Sequence, residues 1–214
     1  MKHHPYFGLK KQKNSAHKNF ANFVGSNLHC MELKIYPEAK ALIFDLDGTL
    51  SDSLPVHIVS WHAVCKKLNC TFDERIMVEM TGAPTISFAE RIIREQNLKM
   101  DAEKLVAMKQ QEFWKNINQI KPHDAVIDLM KNAHGKMPMA IGTGASQKSA
   151  MLQLKELGID QLFDFIVTAD DVDRHKPEPD TFLKCAELMN VEPKYCQVFE
   201  DGELGMQEIG RAHV

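Results

Sequence analysis

Short apolar runs alternate with longer segments of helical spacing or composition along most of this chain. Such alternation of strands and helices predicts a parallel sheet wrapped by helices, which is an α/β fold. In an open sheet of this kind ligands bind beyond the carboxyl ends of the strands, so the residues that follow each strand are the candidates for chemistry. The predicted strands are residues 41–46, 137–141, 163–168 and 197–200.

Residues 54–123 show no strand pattern and contain three segments with helical character. Within residues 85–96, Ile86, Ala89 and Ile93 recur at spacings of three and four, which is typical of one apolar helix face. A helical insertion of this size directly after the first strand predicts a small cap domain that excludes water and selects substrate. The predicted cap helices are residues 57–68, 85–96 and 102–116.

The first part of the chain differs from the rest. It carries several histidines and lysines but no continuous apolar stretch, so it is not a secretory signal. A more ordinary start at Met31 suggests that the preceding residues are dispensable. We predict a poorly ordered leader over residues 1–38, an α/β core over residues 39–54 and 122–214, and a helical cap over residues 55–121.

The composition is that of an ordinary globular protein of 214 residues, with 44% hydrophobic and 26% charged residues. A formal net charge of −3 gives no reason to expect a nucleic-acid or anionic-membrane partner, because both select basic surfaces. Five cysteines form no Cys-x-x-Cys pair, which favours a reducing cytoplasm. No stretch approaches the roughly 20 apolar residues of a membrane helix. We expect a cytoplasmic protein without nucleic-acid or membrane partners.

Two carboxylates two residues apart come directly after the apolar run of residues 41–44, at the end of the first predicted strand. Asp45 and Asp47 point to the same side of an extended chain. Gly48 then lets the backbone turn sharply, and Thr49 adds a hydroxyl. Because two like charges this close raise each other's cost of ionisation, the pair needs a cation, a shared proton or both. A helix cap or an Asx turn is the less favoured alternative.

Polar residues also follow the other predicted strands. Since the carboxyl ends of parallel strands meet at one edge, we expect a single polar cluster there. Asp170, Asp171 and Asp173 follow the third strand. We favour a role in which they cap the loop over one in which they support a nearby cation, Lys176. The residues that follow the three strands are Thr143-Gly144, Asp170-Asp171 and Glu200-Asp201.

Four motifs, in their order along the chain, resemble those of the haloacid dehalogenase superfamily of phosphohydrolases. The resemblance spans about residues 40 to 205 and implies a Rossmann-like parallel sheet with an inserted helical cap. Residues 176–180 and 199–202 are similar to the beta-phosphoglucomutase-like branch. Residues 142–144 and 179–183 look closest to its bacterial sugar-phosphate phosphatases of the fructose-1-phosphatase type. The four motifs are Asp-x-Asp-Gly-Thr at 45–49, Thr143, Lys176 and Glu200-Asp201.

The matched residues can each be given a role in phosphoryl transfer. The reaction needs an in-line nucleophile, a proton for the leaving group and positive charge around the phosphoryl oxygens. Asp45 would be the nucleophile that forms an aspartyl phosphate, and Asp47 the general acid and then the general base. Thr143, Gly144 and Lys176 would hold the phosphate oxygens.

A metal ion and the cap complete the expected site. Magnesium suits an all-oxygen site. Its expected ligands are the Asp45 carboxylate, the main-chain carbonyl of Asp47 and Asp201, with Glu200 either binding the ion or supporting a residue that does. His57, at the start of the cap, is expected either to face the substrate or to be an ordinary helix histidine. The loop residues Thr81 and Gly82 are expected to contact the substrate.

The sequence favours a magnesium-dependent phosphatase of a small phosphorylated metabolite, expected to be a sugar phosphate, in a monomer or weak homodimer. The alternative is a phosphosugar mutase, although residues 81–87 offer no cation for a second phosphate before Arg91. A hydrolytic dehalogenase is disfavoured because such relatives lack the second aspartate, here Asp47. An idle interaction protein is disfavoured because none of the motif residues is lost. The family normally continues with at least one more strand, so a last strand is expected to be missing.

Overall fold

A computed structural model describes residues 7–8 and 33–212, which contain a five-stranded parallel sheet and a separate two-stranded ladder. The strands are β1 (Phe7–Gly8), β2 (Ala41–Phe44), β3 (Ser51–Asp52), β4 (Lys121–Pro122), β5 (Met139–Gly142), β6 (Phe165–Val167) and β7 (Cys196–Glu200). The order in the larger sheet is β1-β7-β2-β5-β6, with every neighbouring pair parallel. The predicted α/β fold class is therefore confirmed, and each predicted strand coincides with one of these.

The α-helices of the described residues are α1 (Leu54–Lys67), α2 (Arg75–Glu79), α3 (Thr85–Gln96), α4 (Ala102–Lys115), α5 (Asp124–Ala133), α6 (Gln147–Glu156), α7 (Asp180–Leu188) and α8 (Glu203–Ala212). Helices α5 to α8 cover the two faces of the five-stranded sheet. The central strand β2 is buried along its whole length. Its Leu42 and Phe44 pack in a cluster with α5 and α6, whereas Ala41 and Ile43 pack in another with α7. A strand buried on both faces reads as a continuous apolar run, which is why β2 is evident in the sequence.

Helices α1 to α4 have an apolar cluster of their own. Trp61 lies in its middle, with its ring 5.9 Å from the ring of Phe72 and 6.4 Å from that of Phe88. Leu105 of α4 is also fully buried there. The helical segment therefore packs around a core distinct from the clusters of the sheet. Of the described helices, none combines the length and the apolar character that a bilayer crossing requires.

The expectation that residues 54–123 contain no strand is wrong. β4 pairs antiparallel with β3, with Ser51 opposite Pro122 and Asp52 opposite Lys121. The chain thus enters and leaves the helical segment through one small ladder. Two-residue strands are too short to show a periodic pattern, and the five-residue helix α2 escaped notice for the same reason.

The poorly ordered leader over residues 1–38 stays a prediction, and two parts of that segment contact the core. Phe7–Gly8 pairs with β7 as strand β1. The main-chain nitrogen of Tyr36 donates to Gln197 Oε1 over 2.8 Å, and Gln197 Nε2 donates to the carbonyl of Lys34 over 2.9 Å. The buried Gln197 therefore holds the stretch from Lys34 to Tyr36 against the core. Residues 1–6 and 9–32 lie outside the described residues.

Candidate active site

The turn after β2 places two carboxylates at the carboxyl edge of the sheet. The main-chain nitrogen of Asp45 donates to the carbonyl of Phe199, which continues the ladder between β2 and β7. The chain then makes a tight turn, in which the main-chain carbonyl of Leu46 accepts hydrogen bonds from the main-chain nitrogens of residues 49, 50 and 51. Gly48 has φ +91°, and a Cβ there would lie 2.3 Å from Asp201 Oδ2. Only glycine fits both the left-handed backbone and the approach of this carboxylate.

Lys176 lies in the middle of a buried charge cluster. Its Nζ lies 2.8 Å from Asp45 Oδ1 and 2.7 Å from Glu200 Oε2, and all three side chains are almost fully buried. Burial alone would favour the neutral amine, but the charges of Asp45 and Glu200 raise the pKa of Lys176 above its usual range. The lysine is therefore a permanent cation between two strand ends.

Three carboxylates surround a space suited to a hard cation. Asp45, Glu200 and Asp201 each offer an oxygen, and these atoms lie within 4.8 Å of one another. Burial and the charge of Glu200 raise the pKa of Asp45, and the same causes raise the pKa of Asp201 to about 7. One lysine cannot balance three carboxylates, so the cluster has an excess of negative charge. Oxygen ligands with this excess fit a divalent cation such as Mg²⁺.

Asp47 lies in a different environment from Asp45. Its Oδ1 accepts hydrogen bonds from Ser53 Oγ, from His57 Nε2 over 3.0 Å and from Gln153 Nε2 over 3.0 Å. Burial alone would raise the pKa of Asp47, but attraction to and hydrogen bonding from His57, with the bonds from Ser53 and Gln153, hold it well below its usual range. Asp47 is thus an ionised carboxylate held by one oxygen.

His57 connects Asp47 to a buried lysine of the cap. Lys109 Nζ lies 2.5 Å from His57 Nδ1, and the Phe113 ring stacks on the imidazole with centroids 4.3 Å apart. Burial and the charge of Lys109 lower the pKa of His57, although Asp47 opposes them. Because a carboxylate can only accept, His57 Nε2 carries the proton and Nδ1 accepts from Lys109.

Sequence reasoning missed four residues of this network. Lys109, Gln153 and Ser51 lie in two helices and one short strand, and Ser53 precedes α1. None of them was assigned a role from a local motif. Lys109 is only 2% exposed, and burial lowers its pKa to about 7. A lysine on an amphipathic helix normally lies on the solvated face, so only its burial distinguishes it.

The loop after β5 carries Thr143 at the expected place. The Thr143 side chain is buried, and its Oγ1 accepts from the main-chain nitrogen of Ala145 over 3.1 Å. Helix α6 begins directly after this loop, with Ser146 as its N-cap. A helix amino terminus next to a buried hydroxyl and Lys176 is an arrangement suited to phosphate oxygens.

The cap loop lies directly on the core loops. A Cβ on Gly144 would lie 2.7 Å from the carbonyl oxygen of Gly82, and one on Gly202 would lie 3.0 Å from Thr81 Cγ2. A Cβ on Gly82 itself would lie 3.6 Å from Lys176 Cδ. The structure therefore brings Thr81 and Gly82 to the charge cluster. The Thr81 hydroxyl, however, donates within the cap to the carbonyl of Met77.

The favoured capping role holds for two of the aspartates after β6. Asp170 Oδ2 accepts from the main-chain nitrogen of Gln147 at the start of α6. Asp171 Oδ2 accepts from the nitrogen and the hydroxyl of Thr168, which completes a capping box. Both carboxylates therefore serve as caps. The capping role of Asp173 stays a prediction.

Comparisons with known proteins agree with this geometry. A family model described as haloacid dehalogenase-like hydrolase matches residues 42–214. The chain is 37% identical over 173 residues to the fructose-1-phosphate phosphatase YqaB of Escherichia coli, covering 81% of this chain and 92% of that protein. It is 27% identical over 184 residues to the beta-phosphoglucomutase of Bacillus subtilis, covering 81% and 80%. A solved hydrolase from Pseudomonas syringae matches with TM-score 0.72 and 27% identity, covering 80% of each chain.

Proposed function

The chain belongs to the haloacid dehalogenase-like hydrolase family, and on that premise we propose that it is a magnesium-dependent phosphatase of a small phosphorylated metabolite. The observation that carries this proposal is the different surroundings of Asp45 and Asp47. Asp45 faces Lys176 and the other carboxylates, whereas Asp47 accepts three hydrogen bonds on one oxygen. These different surroundings support nucleophilic attack by Asp45 and proton transfer by Asp47.

The first half-reaction would transfer the phosphoryl group to Asp45. A carboxylate oxygen of Asp45 attacks phosphorus, and the bond between phosphorus and the ester oxygen breaks. Asp47 is ionised in the free site, so it would first take up a proton from solvent as the substrate binds and then give that proton to the departing alcohol. Lys176, at 2.8 Å from Asp45 Oδ1, and Thr143 hold the phosphoryl oxygens while their charge redistributes.

The second half-reaction would return Asp45 to its free form. Asp47, now ionised, takes a proton from water, and the hydroxide oxygen attacks the phosphorus of the aspartyl phosphate. The acyl phosphate bond breaks and inorganic phosphate leaves. The donors on Asp47 Oδ1 keep this carboxylate ionised and fix its orientation, so that it is free to accept the proton from water.

The cluster of three acidic residues explains why a metal ion belongs to the proposal. The carboxylates of Asp45 and Asp201, the main-chain carbonyl of Asp47 and nearby Glu200 would hold magnesium, which when bound supplies positive charge beside the phosphoryl oxygens. Without that charge the carboxylates would repel an anionic substrate.

The substrate class is proposed from the cap and from the relatives. Thr81 and Gly82 lie over the core loops, where they would contact the part of the substrate beyond its phosphate. A small, neutral loop suits sugar hydroxyls, and the similar YqaB protein is named a fructose-1-phosphate phosphatase. A sugar phosphate is therefore the proposed substrate.

Phosphate release from a panel of sugar phosphates and nucleotides tests the proposal. We expect hydrolysis of at least one sugar phosphate in the presence of Mg²⁺, none in excess chelator, and recovery when Mg²⁺ is restored. Full activity in excess chelator would show that the reaction does not require a metal ion. If no monoester releases phosphate, the protein is not a phosphatase of this substrate class.

A further inference from the structure

Gln153 reaches Asp47 from a helix on the other side of the active-site turn. It lies in α6, its side chain is fully buried, and Nε2 donates to Asp47 Oδ1 over 3.0 Å. Its Oε1 accepts from Ser51 Oγ over 2.8 Å, and Ser51 is also fully buried. A buried amide therefore bridges the second carboxylate of the site and the strand that follows it.

Only one arrangement of donors satisfies this bridge. Because a carboxylate can only accept, the Nε2 side of the Gln153 amide must face Asp47. Oε1 then faces Ser51, whose hydroxyl must donate. The main-chain nitrogen of Ser51 donates to the carbonyl of Leu46, and the main-chain carbonyl of Ser51 accepts from the nitrogen of Gly48. The orienting hydroxyl is thus anchored to the same turn that carries Asp47.

The three donors to Asp47 come from different parts of the fold. Ser53 is the N-cap residue of α1, and His57 lies within α1 and contacts Lys109 of α4. Both belong to the entry into the cap. Gln153 lies in α6, whose apolar residues pack in the cluster of the sheet. Among the described residues it is the one donor to Asp47 whose position is set by the core.

We propose that Gln153, oriented by Ser51, is a positioning residue that fixes Asp47 for proton transfer to the leaving group. The inference rests on the proposed phosphatase function. With Oδ1 held by Gln153, Ser53 and His57, Oδ2 is the oxygen that carries the proton to the departing alcohol. Loss of the amide frees the carboxylate to rotate and impairs that transfer. Substrate binding does not depend on it, since Gln153 is buried beneath the turn.

A comparison of two esters isolates this role. An alkyl phosphate such as a sugar phosphate leaves as a strongly basic alkoxide and needs a proton from Asp47, whereas p-nitrophenyl phosphate leaves as a weakly basic phenolate and does not. Since kcat/KM reports the steps up to departure of the leaving group, Gln153→Met should lower it at least about 10-fold for the sugar phosphate, through kcat rather than KM. The loss for p-nitrophenyl phosphate should be less than about 2-fold.

Gln197→Met is a matched control because Gln197 is also a buried, two-partner glutamine but holds the segment around Lys34 and Tyr36. Gln197→Met should lower the free energy of unfolding without changing the ratio of kcat/KM for the sugar phosphate to kcat/KM for p-nitrophenyl phosphate. Ser51→Ala keeps the amide and removes only the orienting hydroxyl, so it should change the ratio in the same direction as Gln153→Met and carries the test if that variant does not fold.

The outcomes separate the inference from the function on which it rests. An equal loss for both esters in the Gln153 and Ser51 variants would show that the bridge only supports the fold. Unchanged values for both would show that Ser53 and His57 suffice to hold Asp47. Either result would overturn the inference while the phosphatase stands, whereas a wild-type protein that hydrolyses neither ester would overturn both.

Discussion

Lys176 Nζ lies 2.8 Å from Asp45 Oδ1, although the two residues are 131 positions apart and both side chains are almost fully buried. The lysine also reaches Glu200 over 2.7 Å, so it joins the ends of β2 and β7. Removing one member of a buried ion pair typically costs about 3 to 5 kcal/mol because the remaining charge is left without compensation. The pair therefore links the chemistry of the site to the stability of the sheet.

Lys176→Met should lower the free energy of unfolding by about 3 to 5 kcal/mol in the absence of divalent cations. It should also lower kcat at least about 100-fold, because the phosphoryl oxygens lose a fixed positive charge. Added Mg²⁺ should raise the melting temperature more in the variant than in the wild type. Lys194→Met is the control, since Lys194 pairs with Glu192 at the surface. Equal shifts with Mg²⁺ in wild type and Lys176→Met would contradict the charge balance described here.

Gly144→Ala should weaken catalysis by lifting the cap loop. The new Cβ would lie 2.7 Å from the carbonyl oxygen of Gly82, which is closer than such atoms approach. Because Gly82 also lies close to Lys176, we expect kcat/KM for the sugar phosphate to fall about 10-fold or more. Steady-state kinetics give this value, and unfolding measurements should show a much smaller effect on stability. Unchanged kcat/KM would show that close contact between the loops is not required.

The buried Lys109 should make stability depend on pH. Burial lowers its pKa from 10.5 to about 7, so between these values the unfolded chain binds a proton that the folded chain does not. The free energy of unfolding therefore contains a term that is fully present above about pH 10.5 and is lost as pH falls to about 7. Lys109→Met should remove this rise, which amounts to about 3 to 5 kcal/mol.

Denaturant unfolding from about pH 6.5 to 10 measures this term. Lys115→Met is the control because Lys115 lies in the same helix with its side chain 64% exposed. Parallel pH curves for the wild type and Lys109→Met would show that Lys109 is charged across the range. A flattened curve for Lys115→Met would assign the slope to the helix rather than to the buried amine.

The ion pairs of Arg91 in the cap favour a phosphatase over a mutase. Arg91 forms ion pairs with Glu79 over 2.6 Å and with Glu95 over 2.8 Å, so its charge is already used on the cap helices. A mutase must retain the second phosphate of its intermediate while the sugar turns. We expect glucose 1-phosphate supplied with a bisphosphate primer to yield no glucose 6-phosphate. Formation of glucose 6-phosphate faster than inorganic phosphate would favour the mutase instead.

Much of the site could be predicted because it lies at strand ends. Asp45, Thr143 and Glu200 each follow or end an apolar run, and parallel strands bring such positions to one edge. The motifs then added Lys176, whose partner is far away in sequence. The sequence thus located the edge of the sheet at which the candidate site lies.

The network around Asp47 could not be predicted in the same way. Ser51 and Gln153 are 102 positions apart and meet only through the packing of α6 on the sheet. Lys109 occupies a helix in which lysines are otherwise ordinary, and it is buried where α4 packs against α1. Contacts of this kind depend on the tertiary arrangement, which no local pattern of residues encodes.

We propose that Asp45 accepts the phosphoryl group, and mass spectrometry of an Asp47→Asn variant can detect the phosphorylated residue. With p-nitrophenyl phosphate and Mg²⁺ the first half-reaction needs no acid, while hydrolysis of the intermediate lacks its base, so the phosphorylated protein should accumulate. After rapid acid quenching, the peptide that contains residue 45 should gain the mass of one phosphoryl group, and the Asp45→Asn/Asp47→Asn double variant should gain none. A phosphoryl group on another residue, or turnover of Asp47→Asn without any labelled protein, would show that Asp45 is not the nucleophile.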